Sequence, residues 1–380
     1  MAKTTFNHVR ISGITAVVPE HFINIDDELE FFNNDPKLLE RNKKILGLGK
    51  RHVADERTTN ADLCEAAAKN LFADMNVDKN SVDALIVASS SHDYHYPASA
   101  CVLQGRLDLS EDCTCFDISG LACSAYVHGL WLAHSLLAGG AARKCLLLAG
   151  DIASTHSDPR NRNSHMLFGD AAVATLLEKT EEERPAFFLT GTRGKDWNKL
   201  IAPAGGYDLP MRSDIAGLEI TDEIGNVWRL CDDIMKGMDI FRFTAEIGPR
   251  GVTEILRFAG VKQNEVDYFA FHQANGQIVR SVAQYLELPK DKYSSETFRQ
   301  YANCASAAVA MDLCRRLKEK PASTVCLATF GVGLSWGFGL IDMRDCFIGG
   351  IHTYHTPPNK MTRAEKIEHW IAYYKEGNHA

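Results

Sequence analysis

No apolar run in this chain reaches the roughly 18 to 20 residues that a bilayer-spanning helix needs. The opening MAKTTFNHVRISGI has no apolar segment of the kind a secretory signal uses. A basic excess is missing too: 41 Lys and Arg stand against 49 Asp and Glu, a formal net charge of −8. A general nucleic-acid or anionic-membrane surface needs a cationic face, so neither partner is expected. Cys113 and Cys115 form a C-x-C with no second pair at zinc-ligand spacing, and His352 and His355 read as exposed tail histidines, so no metal is expected. The eleven cysteines are scattered through apolar segments of a long chain and are expected to be reduced core thiols. These absences point to a cytoplasmic protein.

What is present is enough apolar material, 45% of 380 residues, for one large core or two fused ones. Short β-branched runs alternate with helical patterns, which is the signature of an α/β sheet protein. The runs come in matched pairs. From Val82-Asp83 to Lys144 is 62 residues, and from Val266-Asp267 to Val325 is 59. Between the members of each pair lies a small-residue loop that opens a helix, GLACSAYVHGL in the first case and NCASAAVAMDL in the second. This pattern predicts a duplicated strand-helix-strand unit. The expected division is a first half over 1–180, cap and substrate-pocket loops over 181–235, a second half over 236–345 and a C-terminal extension over 346–380. In the extension, Thr362 and Glu365 form a capping-box pattern ahead of a helix with Ile367, Trp370, Ile371 and Tyr374 on one face. That helix is expected to dock on the body or on a partner subunit.

Four places can carry chemistry. Cys123 heads an apolar helical run, and a helix N-terminus presents unpaired N–H groups that favour a thiolate. His272 ends the buried strand VDYFAF, with Asn275 just beyond it. Asn303 leads the second small-residue loop, where a helix cap is its plain structural use. Gly331 and Gly333 bracket a turn whose backbone N–H groups can face a cavity. Two halves meeting about a pseudo-twofold axis bring equivalent loops to one centre, so these distant residues are expected to converge.

Nine segments in order over residues 5 to 345 resemble the β-ketoacyl-acyl-carrier-protein synthase III group of the thiolase superfamily. Among them are GLGKRHVAD, DISGLACSAYVHGL, MLFGDAAVATLLE, APAGGYDLP, HQANGQI, NCASAAVAM and FGVGLSWG. The resemblance implies a thiolase-like α/β fold, with duplicated αβαβα halves in a layered sandwich of mixed sheets. It makes Cys123 the acyl acceptor and His272 and Asn303 the other members of a triad. It places oxyanion donors at the backbone of Cys123 and of Gly331, Val332 and Gly333. Substrate or carrier contacts are implied at Arg51, Gly206, Met235, Gly237, Phe241, Asn275, Gln277 and Arg280. Asp151 and Phe168-Gly169-Asp170 are taken as structural.

The implied reaction is acyl transfer from a thioester to Cys123, followed by decarboxylative Claisen condensation with a malonyl or related β-keto thioester. It needs no cofactor beyond the coenzyme A or phosphopantetheine that carries each substrate. The implied partners are acyl-carrier protein, acyl-CoA and a second copy in a homodimer. Acyl transfer to a hydroxyl or amine, and a non-catalytic partner subunit, are the alternatives. Some positions depart from the group. The segment IDDELEFFNNDPKLLERNKKIL lacks the Trp that stacks on adenine, Gln277 stands where an Arg is usual, and Ala302, Cys304 and Val332 replace common residues. Arg280, Arg257 and Lys262 are then the candidates for docking a carrier, and a specialised lipid or secondary-metabolite pathway is expected.

Overall fold

The computed structural model describes residues 1–155 and 157–377. Two mixed sheets form the body. The first has six strands in the order Phe347–Tyr354, Val9–Pro19, Asp170–Lys179, Lys144–Ile152, Ala84–Ala88 and Thr114–Ile118. The second has five, in the order Ala2–Phe6, Ala186–Thr192, Ser335–Asp342, Thr324–Gly331 and Tyr268–Phe271. Helices Ala125–Ala138 and Ala308–Glu319 lie between the sheets, where Tyr126, Leu130, Met311 and Leu313 pack against inward residues of both, such as Leu147 and Leu327. On the outer face of the first sheet, Leu146 and Leu148 meet helices Asn60–Met75 and Ser99–Leu107. On the outer face of the second, Phe269 and Phe271 meet helices Gly237–Ala259 and Gly276–Tyr285. Covering both faces explains why the central strands read as near-continuous apolar runs rather than alternating ones.

The duplication is visible in detail. Ala84–Ala88 pairs parallel with Lys144–Ile152, as Tyr268–Phe271 does with Thr324–Gly331. The two Val-Asp dyads do the same work. Asp83 Oδ2 accepts from the N–H groups of Arg143 and Lys144 at 2.7 and 2.9 Å, and Asp267 Oδ2 from those of Ser323 and Thr324, both at 2.9 Å. Each aspartate thus fixes where its neighbouring strand begins.

Sheet membership redraws the expected boundaries. Phe347–Tyr354 is not part of a tail but pairs parallel with Val9–Pro19 in the first sheet. Ala186–Thr192 is not a cap loop but pairs with Ser335–Asp342 in the second, and carries Ala2–Phe6 on its other side. The physical reason is the exposed sheet edge, whose unpaired backbone groups recruit strands from across the chain. The cap is therefore 193–235 together with the loop after Ile152. His352, on the added edge strand, is partly buried and lies 3.8 Å from Asp74, while His355 is exposed beside Glu20.

The capping box forms, with the Thr362 N–H donating to Glu365 Oε2 at 2.7 Å, and starts helix Arg363–Gly377. This helix touches the body at Trp370, edge-to-face with Tyr94, and at Lys366, whose Nζ donates to the Arg57 carbonyl. No helix among the described residues is long and apolar enough to cross a membrane.

Candidate active site

Both halves enter their central helix through a matching turn. Ala122–Ser124 precedes Ala125–Ala138, Ala305–Ala307 precedes Ala308–Glu319, and the first residue of each turn has a positive φ, 43° at Ala122 and 45° at Ala305. Cys123 therefore has Ser306 as its counterpart, and Asn303 lies in the loop before it. Asn303 does not cap the helix; Ala307 occupies that position. Instead its backbone is clamped to the first half. Its N–H donates to the Leu167 carbonyl at 2.8 Å, and its carbonyl accepts from Gly169 N–H at 3.2 Å. Its side-chain Oδ1 accepts from Ala305 N–H at 3.0 Å, which turns the NH2 group toward Cys123, with Nδ2 3.8 Å from Sγ. His272 is held at the end of its strand by a 2.8 Å bond from its N–H to the Ala328 carbonyl.

Cys123, His272 and Asn303 share the wall of one cavity of about 390 Å³, also lined by Leu167, Phe168, Met235, Gly237, Phe241 and Phe330. Its mouth is formed by Asn42 and Leu46 of helix Pro36–Leu46, by exposed Met238 and by Gln277. A second cavity of about 320 Å³ is lined by Cys123 together with Ser90, Leu200, Ile201, Asp151 and Asp233. Cys123, Phe168 and Leu200 line both cavities, so the two pockets meet around the Cys123 thiol.

The electrostatics differ from the sequence expectation. Burial pushes the Cys123 thiol up to about 12, and the charges of Asp151 and Asp233 add to the rise, while the bond to Asn303 works against it. The helix N-terminus is where the sequence puts it, but desolvation outweighs it. Burial likewise pushes His272 down to about 3, so its imidazole is neutral. The pair rests as thiol and free base.

Met235, Gly237, Phe241, Asn275 and Gln277 all reach the first cavity. Asn275 also has a structural use, its Oδ1 capping helix Gly276–Tyr285 through the Ile278 N–H at 2.9 Å. Three expectations need correction. Arg51 is buried against Glu28 and His165 and does not line either cavity, because its charge is already neutralised inside the protein. Gly206 is exposed in the cap and lies off both cavity walls. Val332 lines the second cavity, but its N–H donates to the Leu121 carbonyl at 3.3 Å, so at rest it is not a free oxyanion donor. Arg280 donates to the Ile45 carbonyl at 2.6 Å and ties helix Gly276–Tyr285 to the mouth helix.

Asp151 and Asp170 are structural hubs. Asp151 accepts from Ser89, Ser91 and the N–H groups of Ser90 and Ser306; Asp170 accepts from the N–H groups of Ala54 and Ser154 and the Ser154 hydroxyl. The sequence reading missed Asp233, Leu200 and the mouth helix, since nothing local in an irregular cap shows which way it folds.

Family models described as 3-oxoacyl-[acyl-carrier-protein] synthase III, and as the C-terminal part of that synthase, match residues 116–194 and 256–343. A Campylobacter jejuni chain provisionally named 3-oxoacyl-[acyl-carrier-protein] synthase 3 is 40% identical over 355 residues, covering 93% of this chain and 99% of that one. A β-ketoacyl-[acyl-carrier-protein] synthase III of Fusobacterium nucleatum is 30% identical, with 88% and 98% covered. The crystal structure of a 3-oxoacyl-(acyl-carrier protein) synthase from Burkholderia xenovorans superposes with a TM-score of 0.85 at 32% identity, over 93% of this chain and 99% of that one. The chain belongs to the 3-oxoacyl-[acyl-carrier-protein] synthase III family.

Proposed function

We propose that this chain is a 3-oxoacyl-[acyl-carrier-protein] synthase III-type condensing enzyme that works through Cys123, His272 and Asn303. The observation that carries the reading is the Asn303 carboxamide, held with its NH2 group 3.8 Å from the Cys123 sulfur on the wall of a cavity that His272 also lines. In the first half-reaction Sγ attacks the carbonyl carbon of an acyl thioester. The carbon–sulfur bond to the carrier breaks, and the thiol proton passes, by way of neutral His272, to the departing thiolate. The Cys123 N–H is the oxyanion donor we assign, and Val332 joins it by releasing Leu121.

In the second half-reaction a malonyl thioester occupies the cavity that leads from the mouth. Loss of carbon dioxide leaves an enolate whose negative oxygen accepts from His272 and from Asn303 Nδ2. Each well-placed donor lowers such a barrier by about 3 to 4 kcal/mol. The enolate carbon attacks the acyl-Cys123 carbonyl, the Cys123 thiolate leaves and takes up one proton, and a 3-oxoacyl thioester departs. With the proton that restores the Cys123 thiol drawn from solvent, the two thioesters account for every atom, and no further cofactor is assigned.

Acyl-carrier protein is the partner we assign to the mouth, where Arg41 and Lys44 are exposed on helix Pro36–Leu46 beside Arg280. An acidic carrier suits that charge better than coenzyme A suits a mouth without Trp. Arg257 and Lys262, both exposed, are secondary candidates. Thr114–Ile118, the partly exposed edge of the six-stranded sheet, is the surface we assign to a homodimer. We place the protein in the cytoplasm and in a specialised lipid or secondary-metabolite pathway.

Intact-mass measurement tests the first half-reaction. An acyl thioester should add its acyl mass to the wild type and to Asn303→Ala, and nothing to Cys123→Ala. An adduct that survives Cys123→Ala, or no adduct from any donor, contradicts the proposal.

A further inference from the structure

The two donors assigned to the enolate come from different elements. His272 follows strand Tyr268–Phe271, and Asn303 lies just after the short helix Glu296–Tyr301. Both must reach one oxygen, so their placement relative to each other decides whether they act together. The side chain that joins the two elements is Gln273, next to His272 in the chain and fully buried. It lines neither cavity, although His272, Ala274 and Asn275 all line the first.

The Gln273 amide makes three bonds. Nε2 donates to the Phe271 carbonyl at 3.0 Å and to the Ser294 carbonyl at 3.1 Å, and Oε1 accepts from the Phe298 N–H at 3.1 Å. Carbonyls at one end and an N–H at the other fix which way round the amide lies. Phe298 is in the first turn of Glu296–Tyr301, where N–H groups lack partners within the helix, and the N-cap residue Ser295 makes no side-chain bond there. Gln273 thus caps, from the His272 side, the helix that delivers Asn303. The connection continues along the backbone: the Phe298 carbonyl accepts from Ala302 N–H at 2.7 Å, and Asn303 comes next. The same segment is also tied to the central helix Ala308–Glu319, where Asp312 accepts from Thr297 at 2.6 Å and Arg315 donates to Thr297 and Ser294, both at 2.9 Å. Losing the Gln273 bonds therefore shifts the short helix rather than releasing it.

We infer that Gln273 is a positioning residue for the second half-reaction, setting the Asn303 carboxamide against the His272 imidazole so that both donors meet the same enolate oxygen. The inference rests on the proposed condensation and adds to it a residue that lies off both cavity walls. Sulfur attack on the acyl donor uses Cys123 and His272, and His272 keeps its own bond to the Ala328 carbonyl, so the first half-reaction is spared.

Two rates test it: Cys123 acylation by butyryl-pantetheine, read by intact mass, and release of labelled carbon dioxide from malonyl-pantetheine by the acylated enzyme. Gln273→Met keeps the side chain's size and removes all three bonds. It should acylate within about twofold of the wild type, while kcat for carbon dioxide release falls at least about tenfold and KM for malonyl-pantetheine stays within about threefold, because the lost interaction is one made in the transition state. Gln273→Met combined with Asn303→Ala should be no slower than Asn303→Ala alone, since Gln273 acts through Asn303. Gln273→Glu keeps the acceptor for Phe298 N–H, and it carries the test if Gln273→Met does not fold, with a smaller loss of kcat and the same absence of further loss beside Asn303→Ala. Carbon dioxide release at the wild-type rate, acylation that falls in step with it, or full additivity with Asn303→Ala overturns the inference while leaving the condensation intact. No acylation of the wild type, or no carbon dioxide from the acylated wild type, overturns the proposed reaction and this inference with it.

Discussion

A thiol pushed up to about 12 and an imidazole pushed down to about 3 face one cavity, so both are neutral through the ordinary range of pH. Attack on a thioester then starts from thiol and free imidazole rather than from a thiolate–imidazolium pair, and the proton moves only when substrate is present. One consequence is measurable without substrate. Alkylation of Cys123 by iodoacetamide should rise about tenfold per pH unit from neutral pH to about 10 with no plateau, because only the thiolate reacts. A plateau beginning near pH 7 would show that the helix N-terminus outweighs burial after all. At this scale the sequence made the residues and their order legible, through two small-residue loops placed alike in two halves. Their charge states were not legible, because desolvation depends on Phe168, Ala153 and Ala305 closing over Cys123 from three separate segments.

The turns that carry the site are strained, and the strain is specific. Ala302, just before Asn303, has φ 59° and ψ −162°, a region that only glycine occupies freely. Ala302→Gly should therefore stabilise the protein by about 1 kcal/mol, read as a raised urea midpoint, with Asn303 still in place. Gly331 shows the opposite case, a glycine required by close approach. A Cβ there would stand 2.1 Å from the Leu121 carbonyl oxygen and 2.7 Å from Ser124 N, both backbone of the nucleophile turn. Gly331→Ala should displace Cys123 and slow its acylation by about a hundredfold with the fold retained, since misplacement of about 1 Å has that cost. Acylation at the wild-type rate would show that the turn has room to give.

Elements were legible where local chemistry repeats, as in the two Val-Asp dyads that start matching strands. They were not legible where a strand pairs with a distant partner. Phe347–Tyr354 is such a strand, because its partner Val9–Pro19 lies at the other end of the chain. Arg51 lies within GLGKRHVAD, a segment that carries the family resemblance, yet its partners Glu28 and His165 are brought by the fold and bury it.

Over the whole molecule, buried histidines set the response to acid. His134 and His165 are pushed down to about 4 and His272 to about 3, all by burial. The unfolded chain binds protons at these sites near the usual histidine value of 6.5, and the native chain does not. Stability is therefore fully present above that value and declines as pH falls toward 4. Asp312, pushed up to about 6 by burial, acts in the opposite sense between about 4 and 6 and offsets part of the loss. Urea midpoints at pH 7.5, 6.0 and 5.0 should fall in that order, and midpoints that hold constant would contradict the burial of the three imidazoles.

The two halves matter to each other only if the second-half donors act on chemistry performed at the first-half sulfur. Release of labelled carbon dioxide from a malonyl thioester, using enzyme already acylated on Cys123, measures that cooperation directly. The wild type should release one carbon dioxide per 3-oxoacyl product, and Asn303→Ala should be slower by about 10² to 10³ while its Cys123 still acylates. Equal release by the two proteins, or none from acylated wild type, would contradict the account.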